Sequence, residues 1–340
     1  MNVLVTGGAG YLGSQTVRAL LRSGHRVVVL DNLSTGHRRA TPPQAEFAYG
    51  DVGDESLVTH ILQQNKIQAV MHFAGLIEVC ESVRDPAKYY TGNFARTLTL
   101  LQTMIRVGVK RMVFPSSATV YGEIGPDPLR EDHLLRPINP YGSSKMMIET
   151  AMQDFHASCG LDFTVLRCFN VAGADLDGQH GEAHQPESHL IPRVLQGIAQ
   201  GHATIHIFGT DYPTADGTCV RDYVHIDDLA RAHVMALEST ASGTGTIFNI
   251  GGETGHSVRD VIAACHRITG HPLQVVNETR RAGDPPCLIA DSSRIRQELG
   301  WRPRFALDDM IQHAWNWHSG HPQGYPREDY LRLRICDQSD

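Results

Sequence analysis

Asn2-Val3-Leu4-Val5-Thr6-Gly7-Gly8-Ala9-Gly10-Tyr11-Leu12-Gly13 decides the fold. A short apolar run, Asn2 to Thr6, reads as a buried strand. Tyr11 to Arg22 then carries helical spacing through Leu12, Val17, Ala19 and Leu20, and Val27 to Leu30 is a second buried strand. The three together make a βαβ unit, with Gly7, Gly10 and Gly13 in the turn between first strand and helix. Missing side chains there let a pyrophosphate approach backbone N–H groups at the positive end of a helix dipole. The second strand ends at Asp31, about 20 residues further on, where a carboxylate accepts bonds from ribose hydroxyls and repels a 2′-phosphate. NAD is therefore expected rather than NADP, with Arg38 and Arg39 as the features that keep NADP a minor alternative.

The same rhythm continues outward. Glu46 to Tyr49, Ala69 to Phe73, Arg111 to Phe114 and Phe163 to Leu166 read as strands. Ser56 to Gln64, Tyr90 to Val107 and Pro140 to Ala157 read as helices. Strands alternating with helices predict an α/β fold, a doubly wound parallel Rossmann-like sheet. After Asn170 the rhythm breaks. Helices are expected near Ile191 to Gln200, Asp227 to Glu238 and Val258 to Thr269, and strands near Thr204 to Phe208 and Thr246 to Ile250. This half reads as a smaller α+β substrate lobe over the carboxyl edge of the sheet. The expected division is residues 1–170 for the NAD-binding domain, with segments at about 215–250 returning to it, and 171–340 mainly for the substrate lobe.

Composition narrows the function classes. The 340 residues are 41% hydrophobic and 20% charged, an ordinary globular balance. A net charge of −7 leaves no broad basic field for a phosphate backbone, so nucleic acid is not an expected partner. No apolar run approaches a membrane span, and Met1 to Val5 leads straight into glycines rather than into a signal segment, so secretion is not expected. Cys80, Cys159, Cys168, Cys219, Cys265, Cys287 and Cys336 are scattered without a C-x-x-C pair and read as reduced thiols of a cytoplasmic protein. Nineteen histidines are many, and His180, His184 and His189 crowd one stretch. They lack the H-E-x-x-H spacing, so they read as solvated loop histidines and no metal is expected.

Tyr141-Gly142-Ser143-Ser144-Lys145 puts a phenol and an ammonium four apart on one helical face. A tyrosine near pKa 10 is a poor base at neutral pH, and a nearby cation, reinforced by an oxidised nicotinamide, favours the phenolate. Ser116 and Ser117 follow the strand ending at Phe114 and so reach the same carboxyl edge. A serine there can share a hydrogen bond with a reacting hydroxyl.

These features together resemble the extended short-chain dehydrogenase/reductase superfamily: G-x-x-G-x-x-G, the serines before Val120-Tyr121-Gly122, and Y-x-x-x-K. Within it the chain is similar to the UDP-glucose (UDP-galactose) 4-epimerase family. The matching stretches are Asp31-Asn32-Leu33, His72-Phe73-Ala74-Gly75, Glu81-Ser82-Val83, Ser116 to Gly122, Arg167-Cys168-Phe169-Asn170, Gly209 to Thr214 and Arg221-Asp222-Tyr223-Val224-His225, and the likeness runs to His321 to Pro326. The resemblance implies reversible C4 epimerisation of a UDP-sugar through a 4-keto sugar on bound NAD, a place in galactose metabolism, and a homodimer paired through the 90–107 and 140–157 helices. It gives Ser117, Tyr141 and Lys145 to catalysis. Tyr11, Leu12, Asn32, Asp51, Val52, Phe73, Ala74, Gly75, Asn93 and Ser116 join the glycines and Asp31 around NAD. Asn170, Leu190, Phe208, Arg221, Tyr223, Arg281 and Asp284, with Ser117 and Tyr141, go to the UDP-sugar.

Three positions depart from that pattern. Ile77 stands where a lysine near the cofactor is frequent. Cys168 replaces an aromatic residue, and Leu288 occupies the sugar-pocket gate, where side-chain size bears on 2-acetamido groups. Two rival readings share the fold. A 4,6-dehydratase needs an Asp-Glu pair after the catalytic serine or threonine, where this chain has Ala118 and Thr119. A silent NAD-sensing scaffold needs none of Ser117, Tyr141 and Lys145, and this chain keeps all three.

Overall fold

The computed structural model describes residues 1–123, 125, 128–202, 204–281 and 283–326. Cys336 and the 327–340 end of the expected second lobe lie outside them. The strands are β1 (Asn2–Thr6), β2 (Arg26–Asp31), β3 (Glu46–Tyr49), β4 (Ala69–His72), β5 (Arg111–Ser117), β6 (Asp162–Cys168), β7 (Asn170–Ala172), β8 (Thr204–Phe208), β9 (Val220–His225), β10 (Gly245–Ile250), β11 (Gly255–Ser257), β12 (Gln274–Glu278) and β13 (Cys287–Leu288). The helices are α1 (Tyr11–Arg22), α2 (Glu55–Gln64), α3 (Val79–Arg84), α4 (Pro86–Tyr89), α5 (Arg96–Val107), α6 (Pro140–Cys159), α7 (Leu190–Ala199), α8 (Ile226–Ser239), α9 (Val258–Thr269), α10 (Ser293–Leu299) and α11 (Leu307–Gly320).

Seven strands form one parallel sheet in the order β10-β6-β5-β4-β1-β2-β3. Their near-continuous apolar runs follow from burial on both faces. Side chains alternate across the sheet. Val3, Val5, Val27, Val29 and Met71 pack with Val17 of α1 and Leu229 of α8, whereas Leu4, Val28, Leu30 and Val70 pack with Val58, Leu100 and Ile148 of α2, α5 and α6. The chain runs outward from β1 through β2 to β3, then returns to β4 on the other side of β1. That reversal opens a crevice at the carboxyl ends of β1 and β4, the position at which open α/β sheets bind ligands.

The later half builds two small sheets. β9 is flanked by β11 and β13 and also pairs with β7, while β8 pairs with β12. Ile191, Val194, Val261, Ile262, Met310 and Ile311 from α7, α9 and α11 form their core. Within the segment expected to return to the first domain, β9 belongs to a small sheet, whereas α8 packs on α1 and β10 extends the large sheet beside β6. The helix read over 90–107 is also divided: Tyr90–Ala95 is π-helical and α5 follows. Asn93 lies in that wide turn, buried, bonded to both backbone groups of Leu76 and to Ser144 Oγ. Such bulges recur at functional sites.

Candidate active site

Each loop at the carboxyl edge brings a different group. After β1, Gly7 has φ +71°, and a methyl on it would lie 2.4 Å from the Ala74 nitrogen. A methyl on Gly13 would lie 2.1 Å from the Gly7 carbonyl oxygen. These two glycines allow backbone to pass against backbone. Gly10 differs: its methyl would meet the Gly7 oxygen at 3.3 Å and nothing else within 4 Å among the described residues. That open space over the N-terminus of α1 fits a dinucleotide pyrophosphate.

Asp31, at the end of β2, is 8% exposed. Its Oδ2 accepts the Ala9 N–H at 2.9 Å and its Oδ1 accepts the Leu33 N–H at 2.8 Å. Burial raises its pKa while those two bonds oppose the shift. Each oxygen keeps a further acceptor site for a ribose hydroxyl. Asn32 donates to Asp51 at 3.0 Å, and Asp51 accepts the Gly53 N–H and pairs with Arg96 at 2.7 Å. Val52 is buried beside them. After β4 come Phe73, its ring 5.0 Å from that of His233, then Ala74 and Gly75, where Asn93 Oδ1 approaches. Tyr11 donates its hydroxyl to the Gly173 carbonyl at 2.6 Å, so it ties the glycine loop to the later half of the chain. Leu12 packs with the sheet core, and Ile77 is 38% exposed.

Tyr141 and Lys145 occupy the first turns of α6. Pro140 fits the first helical position, where no N–H is needed, and Asn139 caps the helix by accepting the Gly142 N–H at 2.8 Å. Lys145 is buried, donates to the Pro115 carbonyl at 3.0 Å, and holds its ammonium 4.6 Å from the Phe114 ring and 5.9 Å from the Tyr141 ring. Burial brings Lys145 down to about 8, opposed by Cys168 and Glu149. Burial pushes Tyr141 up to about 12, and the hydrogen bond with Ser117 works against it. The Tyr-x-x-x-Lys spacing predicts that the cation brings the phenol pKa toward neutrality. In the protein by itself desolvation dominates, since removing a phenolate from water is costly, and what opposes it is the Ser117 hydroxyl rather than Lys145. Tyr89 stands edge-on to Tyr141 at 6.4 Å.

Ser117 ends β5 and also accepts from Thr119, from its N–H at 3.2 Å and its Oγ1 at 3.0 Å. Ser116 points the other way. Alternation along β5 turns its hydroxyl into a buried network, where it donates to Glu149. Glu149 pairs with Arg167 at 2.8 Å, both side chains 3% exposed or less, and Arg167 donates to the Tyr121 hydroxyl at 2.9 Å. The Ser116 side chain is thus a structural partner, and its backbone lies in the β5–β6 ladder opposite Arg167. Sequence reasoning missed Glu149, although it lies one helical turn beyond Lys145 on α6. Cys168 sits behind this edge, buried, its thiol pushed up to about 12 by burial against the pull of Lys145.

The residues expected to hold the sugar nucleotide gather in two places. Asn170 of β7 is opposite Tyr223 of β9, and Arg221 of β9 is opposite Leu288 of β13. Arg221 also lies 3.6 Å from Asp284. At the end of β8, the Arg281 guanidinium lies 3.7 Å over the Phe208 ring. Leu190 opens α7. Leu288 is 6% exposed and packs with Ala118, Val120, Tyr121 and Phe169, immediately behind Ser117 and Asn170.

The histidine-bearing stretch is only partly solvated: the His184 side chain is 16% exposed and that of His189 41%. His184 and His189 converge on Glu182 at 3.0 and 2.5 Å, and His180 lies beside the Tyr325 ring. No helix among the described residues is long and apolar enough to cross a membrane.

Residues 3–251 match the model of the NAD dependent epimerase/dehydratase family. The chain is 47% identical over 327 residues to UDP-glucose 4-epimerase of Lactobacillus helveticus, covering 96% of this chain and 99% of that protein. Among solved structures, the UDP-glucose 4-epimerase of Brucella ovis in complex with NAD superposes with a TM-score of 0.89 at 40% identity, covering 96% of this chain and 99% of that one. The Bifidobacterium longum enzyme in complex with NAD⁺ and UDP gives 0.91 at 37% identity, covering 96% and 100%.

Proposed function

Since the chain belongs to the NAD dependent epimerase/dehydratase family and is an NAD-dependent isomerase acting at C4 of UDP-glucose, we propose that Tyr141, Ser117 and Lys145 carry its chemistry. When bound, NAD supplies the two-electron oxidant that takes hydride from C4 and gives it back. Tyr141 accepts the proton of the C4 hydroxyl as the hydride leaves, and Ser117, whose hydroxyl draws the phenol pKa downward, bridges to the same sugar oxygen. Burial disfavours the phenolate, and the Lys145 ammonium, 5.9 Å from the ring, is the charge of this chain that would favour it once its proton is lost. The 4-keto sugar turns over within the site, and Tyr141 returns the proton as C4 is reduced from the other face.

Gly7, Gly10, Gly13, Tyr11 and Leu12 are proposed to hold the pyrophosphate, Asp31 and Asn32 the adenosine ribose, and Asp51 and Val52 the adenine. Phe73, Ala74, Gly75 and Asn93 flank the middle of the cofactor, and Lys145 the nicotinamide ribose. Arg221, Arg281 and Asp284 would meet the UDP with Phe208, Tyr223, Leu190 and Asn170, since an anionic diphosphate calls for guanidinium groups. We further propose that residues 1–170 with α8 and β10 form the NAD-binding unit and the remainder the UDP-sugar lobe. Pairing through α5 and α6 gives a homodimer, to be checked by light scattering. The six described cysteines are all free, which supports a cytoplasmic location.

The convergence of the α6 tyrosine, the β5 serine and the lysine at the edge beside the glycine loop carries this reading. Incubation with UDP-galactose and NAD, followed by proton NMR of the sugar, tests it. The expected product is the C4 epimer; a 4-keto-6-deoxy sugar or an unchanged substrate would remove it.

A further inference from the structure

Glu182, His184, Glu187 and His189 each place one ligand atom within 4.8 Å of the other three. Both imidazoles turn Nδ1 toward the same two carboxylates: Glu182 Oε1 lies 3.0 Å from His184 and 2.5 Å from His189, and Glu187 lies 3.8 Å from His184 and 3.4 Å from His189. Glu187 adds an independent sign. Its side chain is 5% exposed, and its Oε1 accepts the backbone N–H of Ser188 and of His189, whereas its Oε2 has no hydrogen-bond partner. A buried carboxylate oxygen without a donor costs free energy that native proteins seldom leave unmet. This one points into the cluster, toward His184.

We infer that Glu182, His184, Glu187 and His189 form a structural binding site for a divalent transition-metal ion, zinc by preference. On binding, the ion takes the place of the imidazole protons, which leave to solvent, and the two neutral imidazoles and two carboxylates then balance a divalent charge. Four protein ligands with no open position are the pattern of a structural rather than a catalytic zinc site. The two imidazoles disfavour magnesium and calcium, which prefer oxygen donors, and a compact four-ligand cluster suits zinc better than the square-planar preference of copper(II). Zinc ligands at about 2.0–2.1 Å from a tetrahedral centre stand roughly 3.4 Å apart, so side-chain shifts of about 1 Å close the present cluster on an ion.

The surroundings explain what an ion would do. The Glu182 carbonyl accepts from Trp317 Nε1 at 3.0 Å, and the neighbouring Ala183 carbonyl is met by His37 Nε2 at 2.9 Å. His184 lies edge-on to Tyr11 at 6.4 Å, and a narrow cleft lined by Gly10, Tyr11, His37, Gly181 and His184 separates this segment from the glycine loop. His189 is the residue before α7. The ion would clamp segment 182–189 between the glycine loop and the start of α7.

The site is tested with zinc alone on the full chain, stripped by a chelator and exchanged into metal-free buffer. After addition of zinc chloride and gel filtration, elemental analysis should give about one tightly held zinc per chain. The thermal midpoint should rise with zinc and not with magnesium. Glu187→Gln and His184→Gln should each weaken zinc affinity at least about tenfold, with the midpoint no longer responding. With 19 histidines in the chain, equal zinc binding by wild type and both variants would mean scattered surface binding and overturn the proposal, as would an unmoved wild-type midpoint. Should the variants fail to fold, cobalt(II) in the wild type decides. A four-coordinate visible spectrum with imidazole ligation supports the site, and a six-coordinate, water-like spectrum refutes it. None of these readouts depends on the catalytic assignment.

Discussion

Tyr141 shows how little a catalytic pattern says about the state of its proton. The phenol is held up to about 12 by burial, and the Lys145 ammonium, itself brought down to about 8, lies 5.9 Å from the ring. A group so placed rests as an acid and becomes a base when further positive charge enters the site. Tyr141→Phe should therefore lower turnover by roughly 10²- to 10⁴-fold while calorimetric UDP-glucose affinity stays within a few-fold. Turnover close to wild type would exclude the phenol from the proton transfer. Leu288 poses a steric question at the same scale. It is 6% exposed and supports Phe169 and Ala118, so a smaller side chain opens space behind the site and a larger one overpacks it. Leu288→Cys should raise kcat/KM for UDP-N-acetylgalactosamine relative to UDP-galactose, and Leu288→Tyr should lower it. An overpacking cost of about 1–3 kcal/mol corresponds to roughly a 5- to 150-fold change in that ratio. A ratio constant across the series would assign Leu288 to packing alone.

The β1–α1 turn separates two duties that its glycines share in sequence. A Cβ at position 13 collides with backbone at 2.1 Å, whereas one at position 10 meets a single oxygen at 3.3 Å. Gly13→Ala should thus lose both stability and NAD, because the helix can no longer pack against the Gly7 carbonyl. Gly10→Ala should keep its urea midpoint near wild type yet lose bound NAD on gel filtration, read from the absorbance of released cofactor. Loss of stability in both, or retention of NAD in the position-10 variant, would contradict this division. The start of α6 works by similar economy: Asn139 and Pro140 set the helix entry, and one turn later Lys145 is delivered to the Pro115 carbonyl of β5.

Across the whole molecule, buried histidines link the fold to acid. His72, His225 and His233 are each at most 1% exposed. Burial brings His72 down to about 3, with Lys145 adding to the shift, and His225 to about 4, with His313 adding to it. Burial also brings His233 to about 4, against one backbone bond. His72 stays neutral between the Thr6 and Thr97 hydroxyls, 2.7 Å from each. In the unfolded chain such imidazoles take up protons near pH 6.5, so between that pH and about 4 the unfolded state binds more protons. Stability therefore rises with pH through this window and levels off above it with respect to these groups. Three such groups contribute a limiting slope of about 4 kcal/mol per pH unit. Urea midpoints should fall between pH 6.0 and 5.0 while the ring proton resonances of these three histidines stay those of neutral imidazoles down to pH 5.0; rings that protonate near pH 6.5 in the folded protein would overturn this account.

Local chemistry suffices for much of this protein. Apolar runs, glycine spacing and Asp31 are short-range signals of a βαβ unit, because strand periodicity and phosphate access are properties of a few adjacent residues. The same holds for Tyr141 and Lys145, four apart on a helix, and for the cap that starts it. Other features required distant segments to meet. Nothing near Ser116 announces that Glu149 and Arg167 will capture its hydroxyl, since those partners come from a helix and a neighbouring strand. β10 joins the large sheet from deep within the later half because β6 leaves an edge that parallel pairing can extend, a choice made by sheet closure and not by the six residues themselves. His184 and His189 read as ordinary loop residues until the chain folds their segment around Glu182 and Glu187. Periodicity and turn chemistry act within a few residues, whereas desolvation, buried pairing and ligand convergence exist only once distant parts of the chain share one volume.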